Sequence, residues 1–288
     1  MNLRFLQTIV TIAEQPTFVA AANALGLSHS AVSLHVKSLE DELQLQIVDR
    51  NTRPPTLTDT GLSLVEYARR MLNISDDIRA LASDDMLVGM VTIGVVPSAL
   101  VNLIPPALAR FRLAHPKLHV RIRSGLSGEL AQAVRNRDID LAVVSEPRVL
   151  PEGLASYPIC REPLNVIVAR SIAEAPDEDI LPAHPFIWFN RRTWVGQQIE
   201  RTLLERKIHV QPAMEIDSIE AVESLVAHGL GISITPTRAC APDGKNQLRR
   251  IPFGTPQEHR CLTMVMLEKS PRQRLAKTLL CELQQLAN

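Results

Sequence analysis

The chain has 288 residues, enough for about two folded units and for a sizeable core that needs no disulfide or metal staple. It balances 31 Lys and Arg against 31 Asp and Glu, which excludes attachment to nucleic acid through bulk positive charge. An apolar content of 45% with 22% charged residues excludes disordered, collagen-like and coiled-coil-only chains. The start, Met1-Asn2-Leu3-Arg4, does not lead from a basic region into a long apolar run, and no stretch of 18 apolar residues occurs. Neither a secretory leader nor a membrane span is therefore expected, and the expected location is the cytoplasm. Cys160, Cys240, Cys261 and Cys281 lie far apart with no Cys-x-x-Cys pair. They read as free thiols of a reducing compartment, with no metal or cofactor implied.

Residues 1–58 read as short helices followed by a proline-broken loop. Leu3, Leu6, Ile9, Val10 and Ala13 recur at helical spacing. Gln15-Pro16-Thr17 breaks that helix and places Thr17 to cap the next, the Ala-rich run Phe18 to Leu25. Gly26 stops it, because glycine takes the left-handed cap without cost. Ser28 caps a third helix whose apolar face is Ala31, Val32, Val36, Leu39 and Leu43. Two helices joined by Gly26-Leu27-Ser28 make a helix-turn-helix pattern. Ile47 to Arg50 and Pro55 to Leu57 flank a turn and read as a small β wing.

Residues 59–85 read as one long helix, the core of a 59–88 linker. Leu64, Tyr67, Met71, Ile74, Ile78 and Leu81 follow one another at intervals of 3, 4, 3, 4 and 3, a heptad seam. Such a helix would run roughly 40 Å. With little of its own chain to bury against, it is expected to pair two copies; packing on its own domain is the alternative.

From residue 89 strands alternate with helices. Val91 to Val96, Leu118 to Ile122 and Asp140 to Val144 are expected strands, with helices at Leu100 to Leu113 and Glu129 to Arg135. A second run begins at Leu164 to Val168. It continues through Phe186 to Phe189, a helix Val195 to Arg206, Met214 to Ile216, a helix Ile219 to Ala227 and Gly231 to Ile234. Cys261 to Leu267 and a helix Arg272 to Leu286 close the chain. The alternation predicts a doubly wound, parallel α/β domain in two lobes. Lobe I would hold 89–162 and 268–288 and lobe II 163–267, with crossings near Arg161–Pro163 and Leu267–Lys269.

One continuous motif runs Ala21-Ala22-x-x-Leu25-x-Leu27-Ser28-x-Ser30-Ala31-Val32-Ser33, then Val36-Lys37-x-Leu39-Glu40-x-Glu42-Leu43, Asp49-Arg50 and Leu57-Thr58-x-x-Gly61. It resembles the DNA-binding domain of the LysR-type transcriptional regulators, and the α/β remainder resembles that family's effector domain. The resemblance implies a winged helix-turn-helix, a linker helix and a two-lobed domain like a periplasmic binding protein. Its implied partners are double-stranded DNA, a small-molecule effector of carboxylate type and a second or fourth copy of the chain, with RNA polymerase a further candidate.

The residues agree with that reading. A recognition helix presents small or polar side chains at its N-terminal turns to reach base edges. His29, Ser30, Ser33 and Leu34 occupy those positions, Leu34 being suited to a thymine methyl group. Lys37, Arg50 and Arg53 are candidates for phosphate. The family usually has Gln where His29 stands, often Arg or another polar residue at Leu34 and Phe at Val48, so the operator cannot be borrowed from a relative. Residues 1–58 carry four Lys and Arg against five Asp and Glu. One copy on one half-site should bind weakly, and two or four acting together strongly.

Ligands of doubly wound sheets bind beyond the carboxyl ends of strands, beside helix N-termini that favour anions. By the resemblance, Ser98, Ser127 and Thr235 are the expected effector contacts, with Ser218 and Trp194 behind them. Each Ser or Thr is equally at home as a helix cap without a ligand, and Trp194 could be buried in its lobe. Arg191 and Arg192 could pair a carboxylate or lie in a solvated loop. Gly-x-Ser-x-Gly, His-Glu-x-x-His and Walker loops are absent, and no Gly-x-Gly-x-x-Gly follows the Val91–Val96 strand. The chain is therefore not expected to be an enzyme. A solute-binding protein is the other class with such lobes, but it would need export and no helix-turn-helix.

Overall fold

A computed structural model describes residues 1–80, 89–237 and 248–287. They form two compact units, Met1–Met90 and Val91–Asn288.

The first unit opens with α1 (Leu3–Glu14), α2 (Phe18–Leu25) and α3 (His29–Leu43). Thr17 Oγ1 accepts from the N–H of Ala20 at 3.1 Å and Ser28 Oγ from that of Ala31 at 3.2 Å, so both predicted caps form. Gly26 sits at φ 65°, the left-handed stop between α2 and α3. The wing is an antiparallel pair, β1 (Val48–Asp49) with β2 (Thr56–Leu57), and α4 (Asp59–Ala80) follows it. Leu6, Ile9, Val32, Val36, Leu39 and Ile47 are buried together, joined from α4 by Val65 and Ala68. The motif glycine Gly61 lets α4 touch the wing: a Cβ there would lie 2.2 Å from the carbonyl oxygen of Ile47.

The expected seam on α4 divides. Leu64 is half-buried and packs on the core of its own unit. Tyr67, Met71, Ile74 and Ile78 are exposed and make an apolar stripe on the other side. Leu81 lies outside the described residues.

The second unit begins with β3 (Gly89–Val95), α5 (Pro97–Asn102) and α6 (Ile104–Ala114). The single helix expected over Leu100–Leu113 is broken at Leu103, because Pro105 and Pro106 fit a first helical turn but not a helix interior. Then come β4 (Leu118–Ser124), α7 (Ser127–Arg135), β5 (Leu141–Ser145) and the sixteen-residue β6 (Leu154–Ala169). Lobe II continues with α8 (Asp177–Ala183), β7 (Pro185–Phe189), α9 (Trp194–Glu205), β8 (Gln211–Ile216), α10 (Ile219–Ala227), β9 (Ser233–Pro236) and β10 (Leu248–Pro252). The chain closes with β11 (His259–Leu267) and α11 (Gln273–Ala287).

Three expectations are corrected here. The sheet is mixed, not all parallel: β3 runs parallel to β5 and β7 to β8, but β11 is antiparallel to both β5 and β6. The strand expected at Leu164–Val168 is the second half of β6, which passes unbroken from one lobe to the other. Its first half carries Pro158 at a β-bulge opposite Leu262 and Thr263, where a missing N–H is tolerated. Finally, Cys261–Leu267 belongs with lobe I. β11 pairs there with β5 and with the first half of β6, so the second crossing falls between β10 and β11 rather than at Leu267–Lys269.

Candidate nucleic-acid interface and effector cleft

The N-terminal turns of α3 are open to solvent. His29, Ser30, Leu34 and Lys37 are exposed and Ser33 is half-buried, while Val32, Val36 and Leu39 turn inward. Ser30, Ser33, Leu34, Lys37 and Arg50 line one groove of about 320 Å³ beside the wing, with Phe18 and Val48 behind it. His29 and Arg53 are exposed outside that groove. The groove is held by a residue that the motif alone does not mark as a brace. Glu40, near the end of α3, accepts from the N–H of Ile47 at 3.0 Å and of Val48 at 3.2 Å through Oε1. Its Oε2 takes Arg50 Nη2 at 2.8 Å. The wing is therefore strapped to α3, and Arg50 is partly committed inside the unit. On the other flank His35 Nδ1 lies 2.8 Å from Thr8 Oγ1 and stacks obliquely on Phe5, fixing α1 against α3.

In the second unit a cavity of about 230 Å³ opens between the lobes. Its walls come from the beginnings of α5, α7, α9 and α10 and from Arg260 on β11. Of the expected effector contacts it contains Ser98, Ser127 and Ser218. Ser98 and Ser127 are not caps. Each lies inside its helix, and neither α5 nor α7 has a side chain on its free first-turn N–H groups. Ser127 Oγ accepts from the N–H of Ser145 at 3.3 Å, and Ser98 Oγ accepts from Arg260 Nη1 at 2.8 Å. Ser218 is the cap of α10, accepting from Ala221 at 3.2 Å and donating to Glu220 at 2.8 Å. Thr193 caps α9 in the same way.

Two expected contacts fall elsewhere. Thr235 is completely buried on β9 and does not reach the cavity wall. Trp194 borders a neighbouring hollow of about 600 Å³ with Glu146, Arg201 and Cys261. There burial, with Glu146 alongside, pushes the Cys261 thiol pKa up. Arg191 pairs with Glu200 and lies over the ring of Trp188 at 4.9 Å, and neither it nor Arg192 lines the cavity.

Nothing in the local sequence marked Arg260. It lies in β11 between the half-buried His259 and Cys261, and its partner is 98 positions away. Its Nε donates to Glu162 Oε2 at 2.8 Å, a second donor reaches the same oxygen, and both side chains are almost wholly buried. Glu162 and Arg260 are register partners on β6 and β11, the two strands at the crossings. The carboxylates Glu129, Asp217 and Glu220 also line the cavity and were not expected there.

The model of the LysR substrate binding domain matches residues 84–288, and that of the bacterial regulatory helix-turn-helix protein of the lysR family matches residues 3–62. The chain belongs to the LysR family of DNA-binding transcriptional regulators. This LysR-type regulator is 26% identical over 240 residues to the HTH-type transcriptional regulator CzcR of Bacillus subtilis, covering 83% of this chain and 81% of that one. It is 29% identical over 246 residues to a probable RuBisCO transcriptional regulator of Chlorokybus atmophyticus, covering 81% and 78%. Among solved structures it shares its fold with a full-length OxyR variant from Pseudomonas aeruginosa, at a TM-score of 0.73 and 23% identity over all of both chains. Full-length CbnR complexed with its target DNA follows at 0.72 and 22%, again over all of both. The regulator's domains are those of a transcription factor and not of an enzyme. No helix among its described residues is long and apolar enough to cross a membrane.

Proposed function

We propose that the regulator reads an operator through α3 and changes its hold on DNA when a small effector with an anionic group enters the cavity between its lobes. The observation that carries the reading is the cavity itself. Two buried serines and the uncapped start of α7 offer hydrogen-bond donors to one metabolite-sized space, whose wall also holds the buried Arg260 that donates to Ser98. On the DNA side, His29, Ser30, Ser33 and Leu34 are the base-facing set and Lys37 and Arg53 the phosphate set. Arg50 can join them only by sharing itself with Glu40. Binding uses two or four copies paired through the exposed stripe of α4, since a helix domain with net charge −1 has little phosphate attraction of its own. An effector acts only by favouring one arrangement of the lobes, and with it one spacing of paired α3 helices, over another.

The test is selection of genomic fragments by the purified protein at fixed salt, followed by footprinting with and without candidate effectors. A few sites of inverted-repeat symmetry, altered by a ligand that needs Ser98 and Ser127, are the expected result. Enrichment no better than random DNA, or a tightly bound ligand that leaves the footprint unchanged, overturns the reading.

A further inference from the structure

The cavity is polar in an uneven way, and the unevenness specifies its ligand beyond an anionic group. Arginine and a backbone N–H can only donate hydrogen bonds. Ser98 is 8% exposed and Ser127 3%, and each has its oxygen already occupied by one of these obligate donors, Arg260 Nη1 and the N–H of Ser145. Their own hydroxyl protons are left as donors at the cavity wall. The first-turn N–H groups of α7, a nine-residue helix without a side-chain cap, add more donors on the same side. This lobe I face asks for an acceptor with several lone pairs, as a carboxylate has.

The rest of the wall says the opposite. In lobe II the starts of α9 and α10 are closed by Thr193 and Ser218, and beside them stand the carboxylates of Asp217 and Glu220, with Glu129 from α7 as a third. Among the described residues Arg260 is the one cation that lines the cavity, and Glu162 already neutralises it. Neither Glu129 nor Asp217 has an ion pair among the described residues. A ligand carrying only negative charge would meet those two carboxylates, both open to solvent, with no unpaired cation on the cavity wall to offset them. A ligand carrying only positive charge would waste the donors of lobe I. At about 230 Å³ the space is below the roughly 300–1,000 Å³ of pockets for drug-sized molecules.

We propose that the effector is an amino-acid-like zwitterion, its carboxylate against Ser98, Ser127 and the start of α7 and its ammonium group against the carboxylates of Asp217 and Glu129. The inference rests on the cleft reading given above. The test is calorimetric titration of the full-length regulator with the L-amino acids. Each is compared with the acid that lacks its amine and the amine that lacks its carboxyl. At least one amino acid should bind, with both of its truncated forms about tenfold weaker or more, the loss of one charge-assisted contact. The Asp217→Asn and Glu129→Gln double variant should weaken the amino acid and bring it level with its amine-free acid. Ser127→Ala should weaken both.

Absence of binding by every amino acid overturns the proposal. So does an amine-free acid or a dicarboxylate that binds as tightly as the zwitterion. If such an acid also changes the footprint and depends on Ser98 and Ser127, only the zwitterion is lost. If a ligand changes the footprint yet is indifferent to Ser98→Ala and Ser127→Ala, the cleft reading fails with it.

Discussion

Asp177 and Arg206 meet through both oxygens and both terminal nitrogens, Nη2 to Oδ1 at 2.9 Å, tying the first residue of α8 to the residue that ends α9. The same carboxylate takes the N–H of Gly254 at 2.9 Å, and the guanidinium lies 5.5 Å from the ring centre of Phe253. Burial alone would push the Asp177 pKa up, but the hydrogen bonds from Arg206 and Gly254 and the Arg206 charge hold it below the ordinary 3.8. A carboxyl lowered in the folded state stabilises it fully above the unfolded pKa and loses that contribution as pH falls through the folded one. Urea unfolding followed from about pH 6 to about pH 3 should steepen below about pH 4 in the wild type. Asp177→Asn should be less stable at neutral pH, with a flatter acid limb. Parallel curves for the two proteins would remove Asp177 from this role.

The buried Arg260–Glu162 pair gives a second prediction. Glu162→Gln leaves a guanidinium without its counter-charge in the interior, at a cost of roughly 3–5 kcal/mol. The double variant Glu162→Leu with Arg260→Met removes both charges and should cost much less. Denaturant titration of the two variants separates these outcomes, and equal losses would mean that charge compensation is not what the pair supplies.

Glu40 is the brace of the wing. Glu40→Ala strips acceptors from two wing N–H groups and one arginine, worth about 1–3 kcal/mol for each group left buried and unpaired. It should lower the melting temperature and the affinity for DNA together. Arg50→Ala should leave the melting temperature almost unchanged. A Glu40→Ala protein with wild-type melting would show that the wing needs no strap.

The residues proposed to meet DNA, inside the groove and beside it, should divide by chemistry. Ser33→Ala and His29→Ala should each cost about 1–3 kcal/mol on the selected operator and little on random DNA. Arg53→Ala should weaken all sequences alike and flatten the salt dependence. Equal loss on both kinds of DNA for Ser33→Ala would reassign that hydroxyl to phosphate.

The exposed stripe of α4 predicts assembly. Tyr67→Glu with Ile78→Glu places charge on an apolar face without touching Val65 or Ala68. Sedimentation should show smaller species than the wild type, with operator binding lost. An unchanged sedimentation coefficient would place the contact between copies elsewhere.

The helix-turn-helix was legible almost residue by residue because it is built from local signals. Thr17, Gly26 and Ser28 each act within three or four residues of themselves, and the apolar period of α3 repeats at close range. The second half of β6 was visible as a run of buried apolar residues. Its first half carries no such run: Pro158 and Pro163 interrupt it, and the fold holds them at a bulge and at a crossing. The lobe I membership of β11 was invisible for a related reason. An antiparallel return beside β5 is decided by pairing across more than a hundred residues, and the strand's own composition carries no mark of it. Three of the proposed effector contacts gather in the cavity, and Thr235 and Trp194 do not. Arg260, Asp217 and Glu129 escaped notice because charged residues at those positions look like ordinary surface until the fold brings them to one wall.

On α3 the tasks of holding the fold and facing outward fall to different side chains. Val32, Val36 and Leu39 fill the interior and Glu40 straps the wing, while His29, Leu34 and Lys37 are turned to solvent. Exchanging the outer set should leave the scaffold standing, so the exposed face of α3 can change its chemistry without cost to the core beneath it.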